Sequence, residues 1–133
     1  MSEENKISAY LLIGGETPLR DVVHRFYEIM LERPEAKDLL SMHSDLTAAE
    51  EKLFFFLSGW LGGPNLYFEK YGHPKLRARH LPFKIGKPER DQWMLCMVQA
   101  FEETGIEDPA RSEILHQILN LADHMRNQTD KIE

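Results

Sequence analysis

Residues 60–88 read WLGGPNLYFEKYGHPKLRARHLPFKIGKP, and they decide the architecture because they break the pattern on either side. Gly62-Gly63-Pro64 ends a helix: glycine supplies a left-handed backbone and proline prevents continuation. From Asn65 to Pro88, three prolines and two glycines fall within 24 residues and no helical period is sustained. A connection of that length in a small domain is more often functional than idle. Its aromatic residues Tyr67, Phe68, Tyr71 and Phe83 also need something to pack against.

Working upstream, Thr47-Ala-Ala-Glu50 reads as a capping box. Leu46, Ala49, Leu53, Phe56, Leu57 and Trp60 share one face of the helix it opens. Thr17-Pro18 reads as an N-cap with proline at the first helical position. Leu19, Val22, Val23, Phe26, Tyr27 and Met30 then recur at three- and four-residue steps before Pro34 stops the helix. Ala9 to Ile13 predicts a short helix stopped by Gly14-Gly15, and residues 34–45 a tight connection with apolar contacts from Leu39, Leu40 and Met42.

Downstream, Pro88-Glu89-Arg90-Asp91 reopens a helix with acids in its first turn. Trp93, Cys96, Met97, Ala100 and Phe101 form its inner face, and Gly105 closes it. Asp108-Pro109 caps a last helix with Leu115, Ile118, Leu119, Ala122 and Met125 inward, and the polar tail from about residue 126 is expected to fray. Four substantial helices without strands give an all-α fold, one domain over residues 1–133.

The chain has 133 residues, 42% hydrophobic and 29% charged, a globular rather than a disordered balance. A chain of this size buries roughly two-thirds of its unfolded surface, enough for a core and one enclosed ligand. No apolar run approaches the ~20 residues of a membrane span, and the first residues lack a signal-peptide core. The 22 acids against 16 bases, net −6, argue against nucleic acid as a partner. Yet Lys70, Lys75, Arg77, Arg79, Lys84, Lys87 and Arg90 cluster in one stretch, which suits a small anion or an acidic face. The single Cys96 excludes an internal disulfide and suits a reducing compartment, so a cytoplasmic location is expected.

No nucleophile elbow, phosphate-binding glycine loop, zinc pair or calcium loop is present. Of the six histidines, His116 and His124 are eight residues apart and suit surface or capping roles, as does His24 at the boundary of its helix. His80 differs, with basic residues before it and Leu81-Pro82-Phe83 after it. A neutral imidazole there is either an ordinary hydrogen-bonding loop residue or a metal ligand shielded from water. The apolar helix faces at 19–32, 46–60 and 89–103 need a common partner, and a flat apolar cofactor with acidic edges suits both them and the adjacent bases. Tyr27 and Trp93 each add one polar handle to a face that otherwise reads as core. They are either core aromatics with backbone partners or donors into a cavity. Phe26, Leu53, Phe56 and Met97 are apolar wall in both cases.

Trp60-Leu-Gly-Gly-Pro64, Leu66-Tyr67, Gly72-His-Pro74, Leu76-Arg77, Arg79-His80, Pro82-Phe83, Ile85 and Glu89-Arg-Asp91 with Trp93 together resemble the group II truncated haemoglobins. Gly14-Gly15 and Phe26-Tyr27 extend the likeness over essentially the whole chain. The resemblance implies a truncated globin, a two-over-two helical sandwich around haem b, with the long connection running into a one-turn proximal helix. It assigns His80 as the iron ligand and Tyr27 and Trp93 as distal polar residues. Leu53 becomes a wall residue, and Ala49 stands where many globins carry a distal histidine. The third distal position falls in Leu40-Ser-Met-His-Ser44, on His43 or, one residue earlier, on Met42. Lys52, Arg79 and Tyr67 become candidates for the haem propionates, while Leu76, Phe83 and Ile85 join Phe26, Phe56 and Met97 around the pocket. His73 orders the loop.

The resemblance further implies binding of O2, NO, CO or other small haem ligands. One net hydrogen bond is worth about 1 kcal/mol, so two or three donors slow release by roughly 25- to 100-fold. A pocket of that kind holds oxygen tightly and delivers it poorly. The expectation is therefore redox chemistry, such as NO dioxygenation or peroxide reduction with an external reductase, rather than bulk oxygen transport. A gas sensor or oxygen carrier acting through a partner, and a haem-free helical interaction module, are the other readings. A monomer or weak homo-oligomer is expected.

Overall fold

The computed structural model describes residues 7–128 as eight α-helices, with no strand among the described residues. They are α1 (Ala9–Leu12), α2 (Glu16–Glu32), α3 (Lys37–Ser41), α4 (Leu46–Trp60), α5 (Leu66–Tyr71), α6 (Leu76–His80), α7 (Lys87–Glu103) and α8 (Ala110–His124), with a 3-10 turn at Pro34–Ala36 before α3. The four long helices set the frame: α2 packs on α4 and on α7, and α7 packs on α8. This is the two-over-two sandwich, with the short helices as connectors.

The core lies where the two layers meet. Leu19, Val22, Val23, Phe26, Ile29 and Met30 of α2 are buried against Phe54 and Leu57 of α4 and Cys96, Met97, Ala100 and Phe101 of α7. The α8 face differs by one position from the expected one: Ile114 and Ile118 are buried, while Leu119 is 38% exposed. The helix turns so that the 114/118 pair meets α7, and Leu119, 100° beyond Ile118, is carried outward.

Helix starts also differ from the expected caps. Gly15, at φ +85°, is the N-cap of α2, so Thr17 and Pro18 already lie inside the first turn. The start of α4 is capped by Asp45, whose carboxylate accepts the Ala48 N–H at 3.1 Å, two residues before the Thr47 box. A carboxylate caps as effectively as a hydroxyl and leaves Thr47 in the first turn. Glu89 accepts the Gly86 N–H at 2.7 Å and closes the start of α7.

The stretch 65–88 contains two short helices, α5 and α6, where the resemblance implied a single one-turn helix. Helix α5 holds Tyr67 inward, and Ser58, fully buried, donates to the Pro64 carbonyl at 2.7 Å to fix the turn before it. A side chain at Gly63 would meet the Tyr10 ring at 2.5 Å, which is why α1 can lie so close to the end of α4. Lys75 donates its N–H to His73 Nδ1 at 3.0 Å, so His73 does order the turn into α6.

Candidate functional site

The long helices do not bury all of their apolar surface against one another. On α4, Phe54 and Leu57 belong to the core, while Ala49, Leu53 and Phe56, with Leu57 behind them, line a cavity of about 580 Å³. Its other walls are Tyr27 of α2, Leu39, Met42 and His43 around the end of α3, Tyr67 of α5 and Leu76, Arg79 and His80 of α6. Phe83, Ile85, Trp93 of α7 and Leu121, Ala122 and Met125 of α8 continue it, and Ser44, Ala48, Lys52, Arg90 and the carboxylates Asp45 and Glu89 complete the lining. That volume falls within the range of sites that enclose a small cofactor, about 300–1,000 Å³. A second hollow of about 510 Å³, between Leu12, Pro18 and residues 104–110, presents Glu107, Asp108 and Glu113 and no histidine, tyrosine or tryptophan. Only the first combines apolar walls with convergent donors and a metal-ligating nitrogen.

Of the residues expected around the pocket, Tyr27, His43, Lys52, Leu53, Phe56, Tyr67, Leu76, Arg79, His80, Phe83, Ile85 and Trp93 line this one cavity. Phe26 and Met97 do not: both are 0% exposed and belong to the core. Phe26 stands behind the polar pair, edge-on to Tyr27 at 4.9 Å and to Trp93 at 5.0 Å. It backs the wall without forming it. Met42 and His43 both line the cavity, so both readings of that segment reach it.

His80 sits at the last residue of α6, and its Nδ1 lies 2.6 Å from the Leu76 carbonyl oxygen one turn earlier. A carbonyl only accepts, so Nδ1 carries the proton and Nε2 keeps its lone pair. That is the tautomer a metal ligand requires. His43 makes the same kind of bond, Nδ1 to the Leu39 carbonyl at 3.0 Å, and its ring meets Tyr27 edge-on at 5.9 Å. The Nε2 of neutral His43 is therefore an acceptor, which leaves Tyr27 and Trp93 as the donors among the three expected distal residues.

Tyr27 is 7% exposed and its hydroxyl donates to the Ala49 carbonyl at 3.4 Å, a long bond. Burial pushes its phenol well above the ordinary tyrosine value, and the nearby Glu50 charge adds to this. It thus remains a neutral donor at any physiological pH. Ala49 is too small to place a polar group beside it.

Charge collects at the cavity edge. Arg90 is held by Asp91 and Asp123, which keep its guanidinium firmly protonated, so its charge is already matched. Lys52 and Arg79 have no carboxylate within ion-pair distance among the described residues. Arg79 donates its Nε to the Pro74 carbonyl at 2.8 Å, and Lys52 lies 5.6 Å from the Tyr71 ring centre. No Asp or Glu occurs between Glu69 and Glu89. Apolar walls, a free imidazole nitrogen and two unmatched cations at the rim fit a flat macrocycle with an iron centre and acidic edges. In such a fit His80 would hold the iron and Lys52 and Arg79 would meet the acidic groups.

One contributor was missed from sequence. The polar tail was expected to fray from about residue 126, yet Asn127 is bonded to the segment that follows His80. An asparagine in a polar tail carries no periodic signal. Its role depends on α8 ending beside α6, which only the packing decides. Residues 129–133 of that tail lie outside the described residues.

Comparison with known proteins agrees with this arrangement. The model of the bacterial-like globin family matches residues 8–127. The chain is 42% identical over 116 residues to the group 2 truncated hemoglobin YjbI of Bacillus subtilis, covering 87% of this chain and 86% of that one. The group II 2-on-2 hemoglobin of Agrobacterium tumefaciens superimposes with a TM-score of 0.89 at 41% identity, over 96% of this chain and 100% of its own. The truncated oxygen-avid haemoglobin of Bacillus subtilis gives 0.83 at 40% identity, over 91% and 100%. Among the described residues no helix is long and apolar enough to cross a membrane. The chain belongs to the bacterial-like globins as a group II truncated haemoglobin, a class of haem proteins that bind small gas ligands, and its cofactor is haem b.

Proposed function

We propose that this globin binds O2 and related diatomic ligands tightly, with His80 as the residue that would hold the haem iron and Tyr27 and Trp93 as the donors that would stabilise the ligand. The observation that carries this reading is a single cavity lined by an imidazole with a committed Nδ1–H and by two large donors. Haem, when bound, supplies an iron with a position open to diatomic molecules. Everything else falls to the side chains. His80 offers Nε2, and its bond to Leu76 fixes the ring. Tyr27 gives up a long bond to Ala49 when a better acceptor arrives, so its donation has little to overcome. The Trp93 indole is held by Phe26. Leu53, Phe56, Phe83 and Ile85 exclude water, which strengthens each of those bonds. Lys52 and Arg79, with the Tyr67 hydroxyl, anchor the acidic edges.

Two donors slow ligand release by roughly 25-fold, which suits retention rather than delivery. We therefore assign a role in O2/NO or peroxide redox chemistry supported by an external reductase, over bulk oxygen transport. The name of the oxygen-avid relative is consistent with this choice. Rapid mixing of the oxygenated protein with NO tests it. Stoichiometric nitrate is the expected product, and its absence removes the dioxygenase assignment. Reduced protein that shows no spectral shift under CO removes the ligand-binding assignment itself.

A further inference from the structure

Asn127 spends every polar group it can donate on a short stretch of chain next to His80. Its backbone N–H donates to the Ile85 carbonyl at 2.8 Å, and its Oδ1 accepts the Ile85 N–H at 2.9 Å. Both backbone groups of Ile85 are thus paired with one residue. The Asn127 Nδ2 donates to the Phe83 carbonyl at 2.7 Å and to the carbonyl of His80 itself at 3.2 Å. An asparagine amide has two N–H donors and one carbonyl acceptor, and all three are used here. Arg77 draws the same tail inward, its Nη1 donating to the carbonyls of His124 at 2.7 Å and Arg126 at 3.2 Å.

This matters because α6 has five residues. A helix that short does not hold itself in place, and its last carbonyls have no partner within it. The bond from His80 to Leu76 orients the ring relative to α6 alone. The end of α6 still has to be fixed relative to α7 and α8, whose side chains form part of the cavity. Asn127 does this: it follows α8, reaches back to the His80 carbonyl, and grips Ile85 at the approach to α7. Sites of this kind need their ligating groups held within about 0.5 Å of the working geometry.

We infer that Asn127 is a positioning residue for His80, fixing the pose of the imidazole and hence the strength of the bond it makes to iron. The inference rests on His80 being the iron ligand, as proposed above. The amide is specific to this task. An aspartate would set a carboxylate oxygen against two carbonyl oxygens, and an alanine would leave the His80 and Phe83 carbonyls and the Ile85 N–H without these partners.

The test uses the haem-loaded protein and its Asn127→Ala and Asn127→Asp variants, reduced and without added ligand. The readout is the iron–imidazole stretching band in resonance Raman scattering, with far-ultraviolet circular dichroism alongside. The band should shift or broaden in both variants while helical content is retained. Haem transfer to an excess of apomyoglobin should become roughly tenfold faster, the usual scale for losing an outer partner of a metal ligand. Gln128→Ala, which removes a side chain whose bonds among the described residues go to Asn127 alone, should leave the band in place. If Asn127→Ala loses helical signal, Asn127→Ser decides, since its hydroxyl oxygen can still accept the Ile85 N–H while both Nδ2 bonds are lost. An unaltered band in the folded variants overturns the inference while leaving the His80 assignment standing. A wild-type protein without the band overturns both.

Discussion

The Nδ1 of His80 lies 2.6 Å from the carbonyl oxygen of Leu76, one turn back along the same short helix. Because the partner can only accept, this contact decides which imidazole nitrogen holds the proton and frees Nε2 for a metal. His80→Ala should therefore remove the side chain that would hold the iron, and added imidazole should restore that ligand. Visible absorption spectra of the reduced variant with and without imidazole check this. A variant spectrum matching wild type without imidazole would assign the ligand elsewhere.

The two cavity donors should differ from His43 in their effect on oxygen release. Removing one net hydrogen bond costs about 1 kcal/mol, so Tyr27→Phe should speed dissociation roughly fivefold, as should Trp93→Phe. His43→Phe should have a smaller effect, because the His43 Nδ1–H is spent on the Leu39 carbonyl and its Nε2 does not donate. Stopped-flow displacement of O2 by CO measures all three. A His43 effect larger than that of Tyr27 contradicts the assigned tautomer.

Tyr27 also makes a prediction at high pH. Its folded phenol is pushed above the ordinary value, first by burial and second by Glu50. In the unfolded chain it ionises near pH 10, so above about that pH the unfolded state holds fewer protons than the folded one and stability falls. Below it both states keep the proton and this contribution is constant. Tyr27→Phe should flatten the alkaline limb of stability, measured by urea unfolding from neutral pH upward. An equally steep limb in both proteins would acquit Tyr27.

Phe26 is not a pocket residue, but it should behave as one at second hand. It is fully buried and holds the rings of Tyr27 and Trp93 edge-on. Phe26→Ala should cost about 3–5 kcal/mol of stability. It should also speed O2 release, because both donors lose the ring that fixes them. Equilibrium urea unfolding and oxygen dissociation, read on the same variant, test the two halves separately.

Lys52 and Arg79 are the unmatched cations of the rim, whereas Arg90 is tied to Asp91 and Asp123. If each meets an acidic haem edge through a charge-assisted bond of about 1.5 kcal/mol, Arg79→Ala and Lys52→Ala should each speed haem loss by roughly tenfold. Haem transfer to apomyoglobin is the measurement, and strong salt should shrink the difference.

The order of residues was enough to place four long helices, the break at Gly62-Gly63-Pro64 and the cluster around His80. Those features are local: helical period, glycine and proline chemistry, and fixed spacing act within a few turns of chain. Of the twelve expected residues that line the pocket, Tyr27, Leu53, Phe56 and Trp93 sit on helix faces legible from their period, whereas Lys52 and those of the 65–88 stretch could be named only through the resemblance to group II truncated haemoglobins.

The division of each apolar face had to wait for the packing. A helix advances 100° per residue, so a broad stripe such as Leu53, Phe54, Phe56 and Leu57 presents two directions at once. Nothing local says which meets another helix and which meets a cofactor. The position of α2 sends Phe54 to the core, the cavity receives Leu53 and Phe56, and Leu57 between them borders both. The same rule puts Phe26 behind the wall and its neighbour Tyr27 in it. Asn127 is the extreme case: it is an ordinary tail residue until α8 brings it beside α6, where its amide meets backbone groups more than forty positions away in the chain.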